Sequence, residues 1–307
     1  MIWLLGKDGM LGSMLQQELL ASGTQFHACG RECDVTVAEQ LTNHAPPTTP
    51  DWVINCTGFT AVDRAETERT EAWAVNCDGV ENIARYCRTA GARLVHISTD
   101  YVFDGTDHRG YDEQSPTSPL NAYGASKEAG EQMVAFLLKD HIMIRTAWLF
   151  AEIGQNFVTT MLRLMKAVEP IEVVDDQHGT PTYARDLARA IIQIVEARRF
   201  VPGILHFTNS GLTTWYHFAC CVQRRAIEMG LLEHAVPIHS MKSDKLTRKA
   251  QRPNWSALKS DRIRTVYRVI PRPWTEALDE CLERMIVSHE SSREQASRPS
   301  GLENRPT

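Results

Sequence analysis

Five short apolar runs constrain this chain more than any other feature: IWLL (2–5), FHAC (26–29), WVINC (52–56), RLVHIS (93–98) and IMIRTAW (142–148). Each has the length of a buried strand. Between them lie stretches of helical periodicity, chiefly Leu11 to Leu20, Glu71 to Thr89 and Ala122 to Leu138. Strands that alternate with helices pair in parallel through right-handed crossovers. Residues 1–150 are therefore expected to form a doubly wound α/β domain around a parallel sheet.

The second half is less regular. Helical patterns cover 156–167, 184–198 and 214–229, and prolines at 181, 202, 237, 253, 271 and 273 punctuate the connections. The expectation is a smaller, discontinuous α/β unit made of 151–182 and 201–287, with 183–200 returning to the first domain. Beyond Ser288 the chain is polar, HESSREQASRPSGLENRPT, with almost no apolar anchor to offset its ordering entropy. Residues 288–307 are expected to be a disordered tail. No internal repeat is visible.

With 307 residues, 43% hydrophobic, 23% charged and a net charge of -5, the chain has the balance of a globular protein and lacks the basic excess of a nucleic-acid binder. No apolar run approaches the roughly 20 residues of a membrane span. The amino terminus has none of the segments of a secretory signal, so the cytoplasm is the expected compartment. The eight cysteines (29, 33, 56, 77, 87, 220, 221 and 281) include no CxxC pair and no zinc-type Cys/His spacing. They read as reduced thiols, largely in the core. His96 in LVHIS has the same core reading, and no metal site is visible.

Chemistry enters at GKDGMLG, with glycines at 6, 9 and 12 directly after the first strand and at the start of the first helix. One glycine lets the chain turn off the strand, one lets backbone approach a pyrophosphate, and one lets the helix pack on the sheet. Helix amides then face the anion. This strand-turn-helix setting points to a dinucleotide on a Rossmann-like sheet.

A second signal is NAYGASKEAGE (121–131), which sets Tyr123 and Lys127 four apart on one helix face. Such neighbours are also an ordinary surface contact. The GxxGxxG spacing, however, resembles the extended branch of the short-chain dehydrogenase/reductase superfamily, in which YxxxK is the catalytic pair and a Ser/Thr partner ends the fourth strand. Tyr123 and Lys127 match the pair, and Ser98-Thr99 occupies the partner's place. The chemistry suits the geometry. A carbonyl that receives a hydride develops alkoxide charge and needs a proton, for which a free phenol of pKa about 10 is poorly matched near neutrality. A fixed ammonium one helical turn away, together with a positive nicotinamide, is expected to lower that pKa; reaching about 7 takes roughly 4 kcal/mol at about 1.36 kcal/mol per unit. Thr99 is expected to hydrogen-bond the carbonyl oxygen.

Further words narrow the likeness: STDYVFDG (98–105), SPLNAYGASKEAGE (118–131), TAVDRAE (60–66), RTAWLF (145–150), VVDDQHGTPTYARDLA (173–188) and NSGLTTWYHFA (209–219) resemble the dTDP-4-dehydrorhamnose reductase family over about residues 1–290. The resemblance implies that Gly6, Gly9, Met10, Leu11 and Gly12 hold the pyrophosphate, that Asp34 lies at the adenine end, and that Cys56, Thr57 and Gly58 form the loop after the third strand. Thr99, Tyr123 and Lys127 become catalytic, the last two also touching the cofactor. Thr60, Val62, Asp100, Tyr101 and Trp148 fall where the family holds the sugar nucleotide, whereas Asp175, Asp176 and Gln177 are expected to brace a turn. The second unit would be the substrate domain. The implied reaction is reduction of the C4 keto group of dTDP-4-dehydro-β-L-rhamnose to dTDP-β-L-rhamnose.

The cofactor is expected to be NADPH, with NADH also usable, because ACGRECD (28–34) places Arg31 where a 2′-phosphate would rest while Glu32 and Asp34 oppose it. One departure concerns metal. Family members carry a glutamate two residues after the third glycine that helps bind magnesium at a dimer interface, but here Ser13 and Met14 follow Gly12, and a thioether is a poor ligand for a hard cation. The other is Cys-Thr-Gly at 56–58, where the family has small alanines; the change keeps the volume small. Either a monomer or a homodimer is compatible with the sequence. Three other readings stand beside the first. A sister 4-ketoreductase would act on another nucleotide-linked deoxysugar. A 4,6-dehydratase would need a second carboxylate where Tyr101 stands. A non-catalytic module would resemble the methionine adenosyltransferase β subunit.

Overall fold

The computed structural model describes residues 1–297, and of 288–297 the backbone alone. In chain order, the first unit comprises β1 (Ile2–Leu5), α1 (Met10–Ala21), β2 (Phe26–Cys29), α2 (Ala38–Asn43), β3 (Trp52–Asn55), α3 (Val62–Ala65), α4 (Arg69–Trp73) and a π-helical turn at Ala74–Asp78. It continues with α5 (Gly79–Ala90), β4 (Arg93–Thr99), a 3₁₀ turn at Asp100–Val102, α6 (Ala122–Leu137) and β5 (His141–Thr146). After it come β6 (Leu149–Phe150), α7 (Phe157–Met165), β7 (Ile171–Val174), β8 (His178–Gly179), β9 (Thr182–Tyr183), α8 (Ala184–Val195), β10 (Gly203–His206), β11 (Thr213–Thr214), α9 (Trp215–Glu228), β12 (Ile238–Met241), α10 (Asp261–Tyr267) and α11 (Trp274–Ser297).

Six strands form one parallel sheet in the order β10-β5-β4-β3-β1-β2. Alternate side chains of each strand serve opposite faces. Ile2, Leu4, Ile54, Val95 and Ile144 pack under α1 and α8, whereas Trp3, Leu5, Val53, Leu94 and Met143 pack under α5 and α6. Burial on both faces explains why these runs are continuously apolar rather than alternating. From β1 the chain passes to β2 on one side and β3 on the other. This reversal opens a crevice beyond the carboxyl ends of β1 and β3, the usual ligand position in such sheets.

A second core gathers α7, α9 and the first turns of α11 around Phe150, Tyr183 and Phe218. We keep the division into two units as a proposal, with one adjustment. Residues 183–200 pack on the large sheet through α8, but β10 also pairs with β5, and α10 adds Ile263 and Tyr267 to the same core. The first unit therefore claims residues assigned above to 201–287, because GILH is a short apolar run that completes the sheet edge. The last helix also passes the expected break at Ser288 and reaches Ser297, since helix propagation needs only one bond per added residue and SSREQA is rich in adequate helix formers. The remainder of the expected tail, 298–307, lies outside the described residues. All eight cysteines are free, five of them buried. No helix among the described residues is long and apolar enough to cross a membrane.

Candidate active site

The glycine loop is built by two close approaches. Gly6 has φ +83°, and a Cβ there would lie 2.9 Å from the Cys56 carbonyl carbon; a Cβ on Gly12 would lie 2.1 Å from the Gly6 oxygen. Thus α1 sits directly on the turn, and neither contact tolerates a side chain. Gly9 is the N-cap and supplies no side-chain cap, and no acidic residue stands in the first turn. The first amides of α1 are left to face the crevice, an anion-binding arrangement.

Across the crevice, Thr57 bonds Asn55 Oδ1 through its amide (2.9 Å) and its hydroxyl (2.6 Å). The expected helix from Glu71 is interrupted by the π turn, which turns Asn76 inward. Asn76 bonds the amide and carbonyl of Phe59 (2.9 and 3.0 Å) and Ser126 Oγ (2.9 Å), tying the loop after β3 to α6. Such one-turn bulges recur at functional sites.

Helix α6 is anchored at its start. Asn121 accepts from the Gly124 amide at 2.8 Å, and Glu66 accepts from the Ala122 amide at 2.7 Å. The first turn therefore presents Tyr123 to the end of β4. There Thr99 accepts from the Tyr101 amide at 3.2 Å and donates to Asp100 Oδ1 at 3.1 Å. Lys127, 4% exposed, donates to the Ile97 carbonyl at 2.7 Å.

The electrostatics differ from the sequence expectation. Burial pushes Tyr123 up to about 12, opposed by a hydrogen bond with Thr99 and reinforced by Asp100. Burial pulls Lys127 down to about 8, opposed by Glu131. The lysine does not by itself acidify the phenol, because its ammonium is directed at the Ile97 carbonyl and desolvation dominates at Tyr123. What the helix pair provides is a half-buried phenol on the cleft wall and, one turn on, a buried lysine.

These residues line one cleft of about 460 Å³. Of the positions assigned from sequence, Gly9, Met10, Leu11, Cys56, Thr57, Gly58, Thr60, Val62, Thr99, Asp100, Tyr101, Tyr123, Lys127 and Trp148 are on its wall. Gly6 and Gly12 shape the loop from behind. Arg31 and Asp34 are not on this wall; they follow β2, where the Gly6 and Lys7 amides bond the Cys29 carbonyl. Asp34 caps its own turn at Thr36, and Lys7 pairs with Glu32. Asp175 and Asp176 brace turns, accepting from Thr214 (2.6 Å) and Ser243 (3.0 Å).

Sequence reasoning missed Trp215. It stacks on Trp148 with ring centroids 3.6 Å apart and planes 9° apart, and the pair closes the cleft opposite Tyr123. Trp148 has φ +48°, a conformation rare outside glycine. Gly179 makes room for its indole, which a Cβ would approach to 2.6 Å. The word NSGLTTW contained the signal, but only the fold shows that its tryptophan faces a strand end far away in sequence.

A family model, the RmlD substrate binding domain, matches residues 1–287. The chain belongs to the RmlD family. Relatives include the dTDP-4-keto-6-deoxy-D-glucose reductase of Streptomyces niveus, 39% identical over 90% of this chain and 94% of its own. The dTDP-4-dehydrorhamnose reductase of Streptomyces griseus is 39% identical over 91% and 92%. Among solved structures, the dTDP-4-dehydrorhamnose reductase of Bacillus anthracis in complex with NADP superposes with a TM-score of 0.84 at 35% identity, covering 94% of this chain and 98% of that one.

The residues of this RmlD-family chain do not fit the magnesium that the resemblance implies. Met14 is fully buried in the core under α1. The nearby Glu18 is taken by Arg185 at 2.6 Å and Arg189 at 3.1 Å. Activity should therefore survive EDTA, and sedimentation with and without the chelator should give the same species. A magnesium-dependent dimer would contradict this.

Proposed function

We propose that this protein is an NADPH-dependent dTDP-4-dehydrorhamnose reductase working in the cytoplasm. The observation that carries the reading is the single cleft in which Thr99, Tyr123 and Lys127 meet the uncapped start of α1 on one side and the Trp148–Trp215 wall on the other. A dinucleotide fits the first side: the Gly6–Gly12 turn is a cradle that any Cβ would fill, and it ends in free helix amides. A sugar nucleotide fits the second, where Thr60, Val62, Asp100, Tyr101 and Trp148 offer apolar faces and hydrogen-bonding groups.

When bound, the reduced nicotinamide supplies the hydride. The chain supplies the rest. Gly9, Met10 and Leu11 would hold phosphate oxygens, and Lys127 would hold the cofactor's sugar. Thr99 orients the C4 carbonyl, and Tyr123 gives its proton to the oxygen as negative charge develops there.

The equally similar relative from Streptomyces niveus favours one second reading, a 4-ketoreductase for another dTDP-linked deoxysugar. Incubation with NADPH and the 4-keto sugar, made in situ from dTDP-glucose by a dehydratase and an epimerase, tests both. The proposal requires cofactor oxidation that depends on the epimerase. Equal oxidation without it would move the assignment to the unepimerised sugar, and none with either would remove the reductase reading.

Cofactor choice rests on Arg31, which is exposed and forms no ion pair among the described residues. Arg31→Ala should cost NADPH about 1.5 to 3 kcal/mol in kcat/KM and leave NADH unaffected, as expected for a hydrogen bond to a charged group. Equal losses for both cofactors would take Arg31 out of the phosphate site.

A further inference from the structure

Residues 242–252, KSDKLTRKAQR, hold five basic side chains and one acidic one in a chain whose net charge is -5. The segment is a strap whose backbone is tied to the first unit. Asp63 of α3 accepts the amides of Lys249 and Ala250, both at 3.1 Å, and Asn121 at the start of α6 donates to the Gln251 carbonyl at 2.7 Å. Val62, beside Asp63, is on the cleft wall, as is Tyr101, whose ring meets that of Tyr123 edge-on with centroids 5.9 Å apart. The strap therefore runs along the rim of the cleft.

Its two guanidinium groups are in different states. Arg252 is neutralised, gripping Asp63 through bonds of 2.7 and 2.6 Å and donating to the Ala250 carbonyl at 2.7 Å. Arg248 is exposed, and its side chain enters no hydrogen bond or ion pair among the described residues. Burial and Asp100 push the Tyr101 hydroxyl up while Arg252 and Arg248 oppose them, so both charges reach the cleft wall. The charge of Lys249 goes elsewhere. It joins Arg64 in holding the Glu68 carboxyl down.

A sugar nucleotide that reacts at C4 sets the requirement. C1, which carries the diphosphate, lies across the pyranose ring from C4, so the phosphates are held away from Tyr123, toward an edge of the cleft. Lys127 is the one cation among the described residues that line the cleft, and its ammonium is directed at the Ile97 carbonyl. The Trp148–Trp215 wall is apolar. Phosphate charges that leave water need a charged or hydrogen-bonding partner. The rim strap carries an uncommitted one.

We propose that Arg248 is the diphosphate anchor of the sugar nucleotide, its planar fork holding phosphate oxygens while the Arg252–Asp63 pair fixes the strap that carries it. The inference rests on the nucleotide-sugar reading of the cleft. The phosphates do not change in the reaction, so the contact is made equally in ground and transition states. It lowers KM and leaves kcat alone.

Calorimetric titration of dTDP into NADPH-saturated protein tests this, with the steady-state KM of the keto sugar measured beside it. Arg248→Ala should weaken dTDP binding and raise KM at least about tenfold, the scale of a hydrogen bond between charged groups, with kcat within about threefold of wild type. NADPH affinity should not change. Arg248→Lys should recover part of the loss, since it restores the charge without the fork. Lys249→Ala removes the same charge one residue away and should stay within about twofold of wild type, as expected for an exposed contact with another carboxylate. A folded Arg248→Ala protein with wild-type dTDP affinity, or an equal loss in Lys249→Ala, would overturn the anchor. Wild-type protein that binds dTDP through Arg248 yet leaves the keto sugar unreduced would remove the reductase reading and keep the anchor; reduction indifferent to Arg248 would remove the anchor alone.

Discussion

Tyr123→Phe should slow hydride transfer by at least about a hundredfold while leaving cofactor affinity nearly unchanged. The substitution removes only the phenolic oxygen, so the ring keeps its edge contact with Tyr101, whose centroid lies 5.9 Å away. What is lost is the proton delivered as charge develops on the substrate oxygen, a contribution worth 10²- to 10⁴-fold in general acid catalysis. Because that interaction exists only in the transition state, kcat and kcat/KM should fall together. Pre-steady-state measurement with chemistry rate-limiting checks it. A loss under about fivefold would mean that another group is the acid.

A larger effect on stability is expected at Glu131→Gln. Glu131 lies one helical turn after Lys127 and binds Arg145 of β5 through two bonds of 2.9 and 2.6 Å, with both side chains at most 5% exposed. The Arg145 guanidinium also lies 5.1 Å from the Phe103 ring centroid. Removing one partner strands a buried charge, at a cost of about 3 to 5 kcal/mol, whereas replacing both with apolar residues of similar volume costs far less. Urea unfolding should show this loss for Glu131→Gln and recovery of most of it in Glu131→Leu/Arg145→Met. Equal destabilisation by the single and double variants would show that packing, not charge, dominates. The pair also helps to keep Lys127 cationic, since Glu131 is the main influence opposing its desolvation.

The large sheet was legible because its strands are buried on both faces: IWLL, WVINC and RLVHIS read as strands without any partner being known. The glycine loop, Tyr123 and Lys127 were legible for a related reason, as each lies within a few residues of the element that positions it. Three features were not. Strand β10 is a run of four residues after a proline, and only its pairing with β5 gives it a place. The π turn that aims Asn76 inward adds one residue to a helix whose periodicity looks ordinary. Trp215 faces Trp148 across 67 residues of sequence, a meeting set by the packing of α9 rather than by any local pattern. The acidity of the phenol was not legible either. Spacing puts Lys127 one helical turn from Tyr123, but the ammonium is directed at the Ile97 carbonyl, and desolvation with the nearby Asp100 pushes the phenol up.

The most direct test of the central claim is to locate the hydride. With NADPH deuterated at the transferred position of the nicotinamide and the epimerised 4-keto sugar as substrate, NMR of the product should place one deuterium at C4 of dTDP-β-L-rhamnose and none elsewhere. Deuterium retained by the cofactor, or found at another sugar carbon, would contradict the account.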